Sequence, residues 1–199
     1  MSPRRPASRR VLLATGTALA ALTLSACTDG GTQGGGGGTN FVAGKGGIST
    51  AAKGERAAAP DISGKTLEGE QLSLADYKGK IVVVNTWGSW CSPCRAEAKY
   101  LKRVSEETRS KGVEFLGINT RDPEISSAIA FEEDHEIPYP SLYDPVGKQI
   151  LKFPGGSLSP QSIPTTIVID RDGKIAARFL GGISDKRLYE MINPVLAEK

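Results

Sequence analysis

The order of apolar patterns along this 199-residue chain predicts an α/β fold, a mixed central sheet with helices on both faces. Three observations carry the prediction. Two short runs rich in β-branched residues, "KIVVVNTW" (80–87) and "VEFLGINT" (113–120), are apolar on both faces, the pattern of central strands buried on two sides. Each run is followed by a stretch with helical spacing. "PTTIVID", "RDG" and "KIAARFLGG" then read as a hairpin turning at Asp172–Gly173, and an amphipathic helix closes the chain.

The elements follow in order from Pro60. "PDISGKTLEGEQLSLADYKGK" has turn residues at Ser63–Gly64 and Glu68–Gly69 around short apolar stretches, which predicts a small hairpin. After the first central strand, "CRAEAKYLKRVSEETRSKG" has apolar residues at helical spacing and a stop at Gly112. "DPEISSAIAFEEDHE" begins a helix, with Asp122 as its N-cap and Pro123 at the first helical position. "YPSLYD" reads as a short strand and "VGKQILKF" as a short helical stretch. The last helix starts at Ser184 or Asp185. No internal repeat is present.

Residues 1–59 have a different texture. Arg4, Arg5, Arg9 and Arg10 precede an uncharged apolar run at 11–26, short for a membrane span, so residues 1–26 read as an export signal. The run ends in "LSAC", which resembles a bacterial lipobox. That resemblance implies that Cys27 carries lipid and is no redox thiol. The competing readings are a plain signal peptide with a spare thiol at Cys27, or an uncleaved anchor helix. "SRRVLL" also resembles a twin-arginine signal. Residues 28–59 are rich in glycine and small residues, with no apolar period, and read as a flexible tether spanning roughly 30 Å. The expected layout is therefore a signal at 1–26, lipidated Cys27 with its tether at 27–59, and one folded domain at 60–199.

Composition agrees with one ordinary globular domain: hydrophobic content is 39% and charged content 24%. The net charge of +3 comes from the export signal, and the rest of the chain carries a net −1. No basic surface strong enough to argue for nucleic acid is left.

"NTWGSWCSPCRAE" (85–97) holds the remaining two cysteines. A cysteine pair at this spacing can chelate a metal, close a structural disulfide or shuttle electrons. A structural zinc site needs four ligands, and only Cys91, Cys94 and the lone His135 are at hand. A structural disulfide would close a loop of two residues, the case in which cross-linking stabilises least. Redox use has a positive argument. A buried strand ends at Trp87, a short loop follows, and Cys91 opens a helix with Pro93 in the first turn. Unpaired N–H groups and the dipole at a helix start favour an anion and so a thiolate. Cys91 is therefore expected to be exposed and reactive. Cys94, facing inward one turn later, would resolve a mixed disulfide formed at Cys91.

"WCSPC" after a buried strand, with "SIPTT" about 70 residues later, resembles the thioredoxin superfamily. The early hairpin and the long segment 119–153 are more similar to its TlpA/ResA-type members, membrane-tethered extracytoplasmic thiol-disulfide oxidoreductases. The resemblance covers roughly residues 60–196. It implies a thioredoxin-like three-layer fold with an N-terminal β-hairpin and a central insertion. It makes Cys91 the nucleophile and Cys94 the resolving thiol of a redox disulfide, and Pro164 a cis-proline facing them. Ile163 and Thr165 beside that proline, with Trp90, would bind the substrate segment. Trp87 reads as packing. Asn85 stands where thioredoxins carry a buried aspartate, and an amide cannot take up a proton. In ResA-like members an acid lies just after the second core strand, and the nearest match is Asp122, whose capping role competes. Glu97 reads as a solvated helix residue, as do His135 and the acidic group Glu132, Glu133, Asp134 and Glu136. Arg95 adds a positive potential that solvent would screen.

These readings lead to an extracytoplasmic, lipid-anchored dithiol oxidoreductase with no cofactor. It would reduce disulfides of exported proteins, apocytochrome c among them, with electrons from a transmembrane donor protein. Ser92–Pro93 places no cation between the cysteines to stabilise the reduced form, which favours a reductant over an oxidant. A peroxiredoxin-like peroxidase would carry a threonine three residues before its reactive cysteine, where this chain has Cys91 before Cys94. A Cu(I)-binding lipoprotein would use the paired thiols, but the chain offers only two methionines and one histidine beside them.

Overall fold

The fold is described from a computed structural model of residues 38–155 and 157–198. The export signal, Cys27 and residues 28–37 of the expected tether lie outside the described residues. The strands are β1 (Val42–Ala43), β2 (Ile48–Thr50), β3 (Ser63–Lys65), β4 (Gln71–Ser73), β5 (Ile81–Trp87), β6 (Val113–Asn119), β7 (Ser141–Tyr143), β8 (Thr165–Ile169) and β9 (Ile175–Leu180). The helices are α1 (Ser92–Arg109), α2 (Ile125–His135) and α3 (Asp185–Leu196). β3 and β4 form a separate hairpin, and the other seven strands form one mixed sheet in the order β1-β2-β9-β8-β5-β6-β7.

Inside that sheet β5 lies between β6, to which it is parallel, and β8, to which it is antiparallel, and every one of its residues is buried. Its alternation divides the core. Ile81 and Val83 pack with Leu101 and Val104 of α1 and with Leu188 and Met191 of α3. Val82 and Val84 point to the other face, among Ile62, Ile150 and Phe153. That second face is covered by the β3–β4 hairpin and a 3-10 turn at Ile150–Lys152. At the end of β5, Trp87 turns to the helical side and meets Ala98 of α1 and Ala128 and Phe131 of α2.

Gly117 on β6 makes this corner feasible. A Cβ there would lie 1.9 Å from Ser141 Oγ and 2.9 Å from Trp87 Nε1. With hydrogen in its place, Trp87 Nε1 donates to Ser141 Oγ at 3.1 Å. β5, β6 and β7 are thereby fixed together directly beneath the cysteines.

Three local expectations change. The expected tether reaches to Ala59, yet β2 pairs with β9 through Ile48↔Phe179, Ser49↔Arg178 and Thr50↔Ala177. Phe41, Ile48 and Ala51 are buried, and Arg56 bridges Asp170 and Glu198 at 2.8 and 2.5 Å. The folded domain thus reaches back to at least Phe41. The reason is the edge of β9, which would otherwise present unpaired backbone groups to solvent. Ser63–Gly64 is strand rather than turn; the hairpin reverses at Glu68–Gly69, where Gly69 has φ 87°. Finally, α2 starts at Ile125 after Glu124, so Asp122 does not cap it. Among the described residues, no helix is long and apolar enough to cross a membrane.

Candidate active site

The end of β5 delivers the chain into a tight loop at 88–90 and then into α1. Cys91 is the N-cap residue, still extended at φ −82° and ψ 106°, and its amide donates to Gly88 O at 3.1 Å. The amide of Cys94 donates to Cys91 Sγ at 3.3 Å. A free backbone N–H at a helix start therefore points at the first sulfur, the arrangement that favours a thiolate once the pair is reduced. Here the two sulfurs are joined in a Cys91–Cys94 disulfide.

The helix-start argument predicts Cys91 at the surface. Its relative exposure is 3%, against 1% for Cys94. In the disulfide state both sulfurs sit in an apolar cluster with Leu67, Trp87, Ala98 and Phe131, and Ile163 packs against it. Ser92 and Pro93 between the two cysteines are exposed, and so is Trp90, at 46%. Its Nε1 donates to Arg121 O at 3.1 Å, and the Arg121 guanidinium lies 4.6 Å from its ring centroid. Arg95 leans back to donate to Ser89 O at 3.1 Å.

The Ile163–Pro164 peptide bond is cis. Its position is held from both sides: Gly181 N donates to Pro164 O at 2.9 Å, and Thr165 N donates to Thr86 Oγ1 at 3.1 Å. Thr165 itself is fully buried, with its hydroxyl donating to Ser162 O. It supports the loop from behind and presents no polar group to a partner, whereas Ile163 is half-buried beside the cysteines.

Asp122 is buried and belongs to the active-site loop. Its carboxylate accepts from Ser89 N at 2.8 Å, from Ser89 Oγ at 2.6 Å and from Asn119 Nδ2 at 2.6 Å. Ser89 lies two residues before Cys91, so Asp122 fixes the loop that aims the nucleophile. Replacing Asp122 by alanine leaves a backbone donor, a hydroxyl and an amide without their acceptor. The expected cost is about 2–4 kcal/mol of unfolding free energy, read as a lower urea midpoint. Asp122→Asn, which keeps one acceptor oxygen, is expected to lose less.

Two acids contradict the surface role expected of them. Glu97 is 2% exposed. Its Oε1 accepts from Asn85 Nδ2 at 2.9 Å and its Oε2 from Ile183 N at 2.7 Å. Burial pushes its carboxyl up to about 8, against the pull of those two donors. The acid that Asn85 does not supply thus stands beside it on α1. Glu132 is half-buried, and burial pushes it up to about 7. His135 is half-buried as well; it stacks on Phe131 at 4.3 Å between centroids, and Phe131 stacks on Trp87 at 4.4 Å. Among the described residues, no group of three or more His, Cys, Asp or Glu could hold a metal ion.

Sequence spacing held a signal for Glu97. The buried positions of α1 are Cys94, Glu97, Ala98, Leu101, Val104, Ser105 and Thr108, a regular three-and-four stripe in which Glu97 falls on the inward face. Glu132 follows the buried Phe131 directly, but it opens a run of charges that conceals it.

The geometry can be set beside known proteins. Residues 56–178 match the model of the AhpC/TSA family. The chain is 32% identical over 130 residues to the thiol-disulfide oxidoreductase ResA of Bacillus cereus, covering 65% of this chain and 72% of that one. It is similar to the crystal structure of a DsbF homologue from Corynebacterium diphtheriae, with 39% identity and a TM-score of 0.70 over 76% of this chain and 94% of the other. It is also similar to a secreted thiol-disulfide isomerase from Corynebacterium glutamicum, with 34% identity and a TM-score of 0.73 over 82% and 100%. With the paired cysteines at the start of α1 and the cis-proline beside them, the chain belongs to the AhpC/TSA family of thioredoxin-like proteins and is a thiol-disulfide oxidoreductase.

Proposed function

We propose that this oxidoreductase works outside the cytoplasm as a reductant of disulfides in exported proteins. The observation that carries the direction is the surroundings of Cys91. Its sulfur has one backbone donor, from Cys94, and Ser92–Pro93 supplies no cation. Arg95 and Arg121 are exposed and engaged with Ser89 O and the Trp90 ring, so solvent screens what they add. A strong oxidant needs its reduced form held by more than this.

The reaction has two steps. The Cys91 thiolate attacks one sulfur of the client disulfide, forming a mixed disulfide and releasing the first client thiolate. Cys94 then loses its proton and attacks Cys91 Sγ, which closes the Cys91–Cys94 bond and releases the second client thiolate. Two electrons pass from the dithiol to the client. Ile163 packs beside the cysteines, Leu180 pairs with Thr165 next to the cis-proline and is 53% exposed, and Trp90 immediately before Cys91 is 46% exposed, which gives an extended client segment apolar surface to rest on. The export-signal pattern of residues 1–26 supports an extracytoplasmic site, and one of the similar structures is described as secreted. Lipid on Cys27 would hold the domain at the outer face of the membrane, within reach of a transmembrane electron donor. Apocytochrome c, whose haem-attachment cysteines must be reduced, is the client class proposed.

Titrating the Cys91–Cys94 pair in glutathione or dithiothreitol buffers tests the direction. A midpoint near that of thioredoxin, about −270 mV, is expected; one near that of a dedicated oxidant, about −120 mV, would reverse the assignment.

A further inference from the structure

We infer that the cleft between the β1–β2 turn and the start of α3 docks an acidic segment of the client, on the cis-proline side of the cysteines. The cleft has a volume of about 670 Å³ and is lined by Lys45, Lys186 and Arg187, with Glu190 as the acid among them. Lys45 and Lys186 are exposed. The Arg187 guanidinium lies 4.8 Å from the centroid of the Phe179 ring. Among the described residues, neither it nor the Lys45 ammonium meets a carboxylate or a carbonyl oxygen, and Lys186 reaches Glu190 only at 4.0 Å. Asp185, the other acid at this helix start, is paired with Arg103.

The chain builds this cleft from a short glycine-rich turn, "AGKGG" (43–47). Gly46 and Gly47 have φ 69° and 85°, the left-handed region in which a side chain is strained. A Cβ on Gly46 would lie 3.7 Å from Arg187 Nε, and one on Gly47 would lie 3.4 Å from Phe179 Cε2. The turn therefore rests directly on Arg187 and Phe179 and brings Lys45 beside them. On the other wall, Ser184 caps α3 by accepting from the Arg187 amide. The helix start is thus already capped, and the positive charge of the cleft comes from its side chains.

The position of the cleft ties it to disulfide exchange. Ile48 on β2, Phe179 on β9 and Thr166 on β8 lie in one row across the sheet. The ends of that row are two strand spacings apart, about 10 Å, and Pro164 stands two residues before Thr166. Gly181 N donates to Pro164 O at 2.9 Å, and a Cβ on Gly182 would meet Pro93 Cβ at 3.5 Å. The loop leaving β9 thus touches the cis-proline and the cysteine motif before it enters α3 at the cleft. About three residues of extended chain span 10 Å. A client joined to Cys91 therefore carries residues about three positions from its cysteine past Leu180 to these cations. Anionic lipid is the other chemistry that a basic cleft takes, but a membrane lying there would cover the cysteine end. The inference rests on the exchange role proposed above and narrows the client class to exported proteins with acidic residues close to the disulfide.

Single-turnover reaction of the reduced full chain with synthetic peptides tests it. Each peptide holds a Cys-Gly-Gly-Cys disulfide, flanked three residues out on both sides by a pair of glutamates, alanines or lysines. At low salt the glutamate peptide is expected to react about 10-fold faster than the alanine peptide, the low end for electrostatic steering. At about 1 M salt, where screening acts within about 3 Å, the two should react alike. Lys45→Glu combined with Arg187→Glu should reverse the order and make the lysine peptide fastest. Position 187 is the third residue of α3 after the Ser184 cap, where glutamate completes a capping box, so the helix start is kept. Lys78→Glu combined with Lys80→Glu makes the same change in net charge at the opposite end of β5 and should keep the glutamate preference. Equal rates for the three wild-type reactions at low salt, or a glutamate preference that survives in the Lys45→Glu/Arg187→Glu protein, would overturn the inference and leave the exchange activity standing. Equal rates together with binding to phosphatidylglycerol vesicles that the same variant loses would overturn it in favour of a lipid surface. Wild-type protein that reduces none of the peptides would overturn the reductant direction alone; the same ranking is then expected for the reduced peptides reacting with the oxidised protein, and its absence there would overturn the inference too.

Discussion

Protein carrying Cys94→Ser is expected to stop at a covalent adduct with its client and to lose catalytic turnover by several orders of magnitude. The size of the effect follows from where Cys94 sits. Its amide donates to Cys91 Sγ, and the two sulfurs join in the disulfide, so resolution is intramolecular. Well-oriented intramolecular groups act at effective molarities of about 10⁵ M or more, and no thiol in solution at millimolar concentration replaces that. Cys91→Ser should lose exchange altogether, because it removes the sulfur at the helix start that the Cys94 amide faces and leaves only the thiol one turn further in. The adduct is read as a band on a non-reducing gel that collapses with dithiothreitol, and mass spectrometry of its partner names the client. The same variant separates thiol exchange from peroxide chemistry. Fast consumption of hydrogen peroxide by Cys94→Ser protein would mark Cys91 as a peroxide-reacting thiol; slow consumption and a trapped protein adduct are expected.

The cysteine pair, its helix and the cis-proline were legible because each leaves a local mark in the sequence. A β-branched run, a short glycine-containing loop and a proline in the first helical turn specify the strand–loop–helix corner without distant information. "SIPTT" is recognisable by resemblance, and the structure puts a cis bond at its proline. What the sequence concealed is set by packing between distant segments. β2 is three residues long and lies in a stretch poor in apolar residues, so no periodicity announces it; its pairing with β9, some 130 residues on, creates it. Asp122 has the sequence neighbours of an N-cap, yet Ser89 and Asn119 offer its carboxylate three donors at the end of the sheet, and the helix starts later. Glu97 was hidden by its residue type. An acid on an apolar stripe is rarely fully buried without a partner, and its partners, Asn85 and Ile183, are 12 and 86 residues away.

That burial gives Glu97 a measurable signature. In the unfolded chain its carboxyl ionises near 4.5, whereas the folded protein holds the proton up to about 8. Between those values the unfolded state binds fewer protons than the folded one, so unfolding becomes easier as pH rises, and the loss is complete above the folded value. Glu132, pushed up to about 7, acts in the same direction over a narrower window. Glu97→Gln removes the larger part of this dependence. At pH 5 the variant and the wild type are expected to be close in stability, since both are neutral at position 97. At pH 8.5 the variant is expected to be more stable by on the order of 4 kcal/mol, read from urea midpoints of the oxidised proteins. The informative control is Glu97→Ala, which leaves Asn85 Nδ2 and Ile183 N without an acceptor and should be less stable than Glu97→Gln at both pH values. A Glu97→Gln protein with an unchanged pH slope would show that Glu97 is ionised in the fold. The carboxyl would then place a fixed negative charge beside Asn85 and one turn from Cys94, and would oppose a thiolate there. A neutral Glu97 avoids that opposition, which is why its protonation state bears on the chemistry as well as on stability.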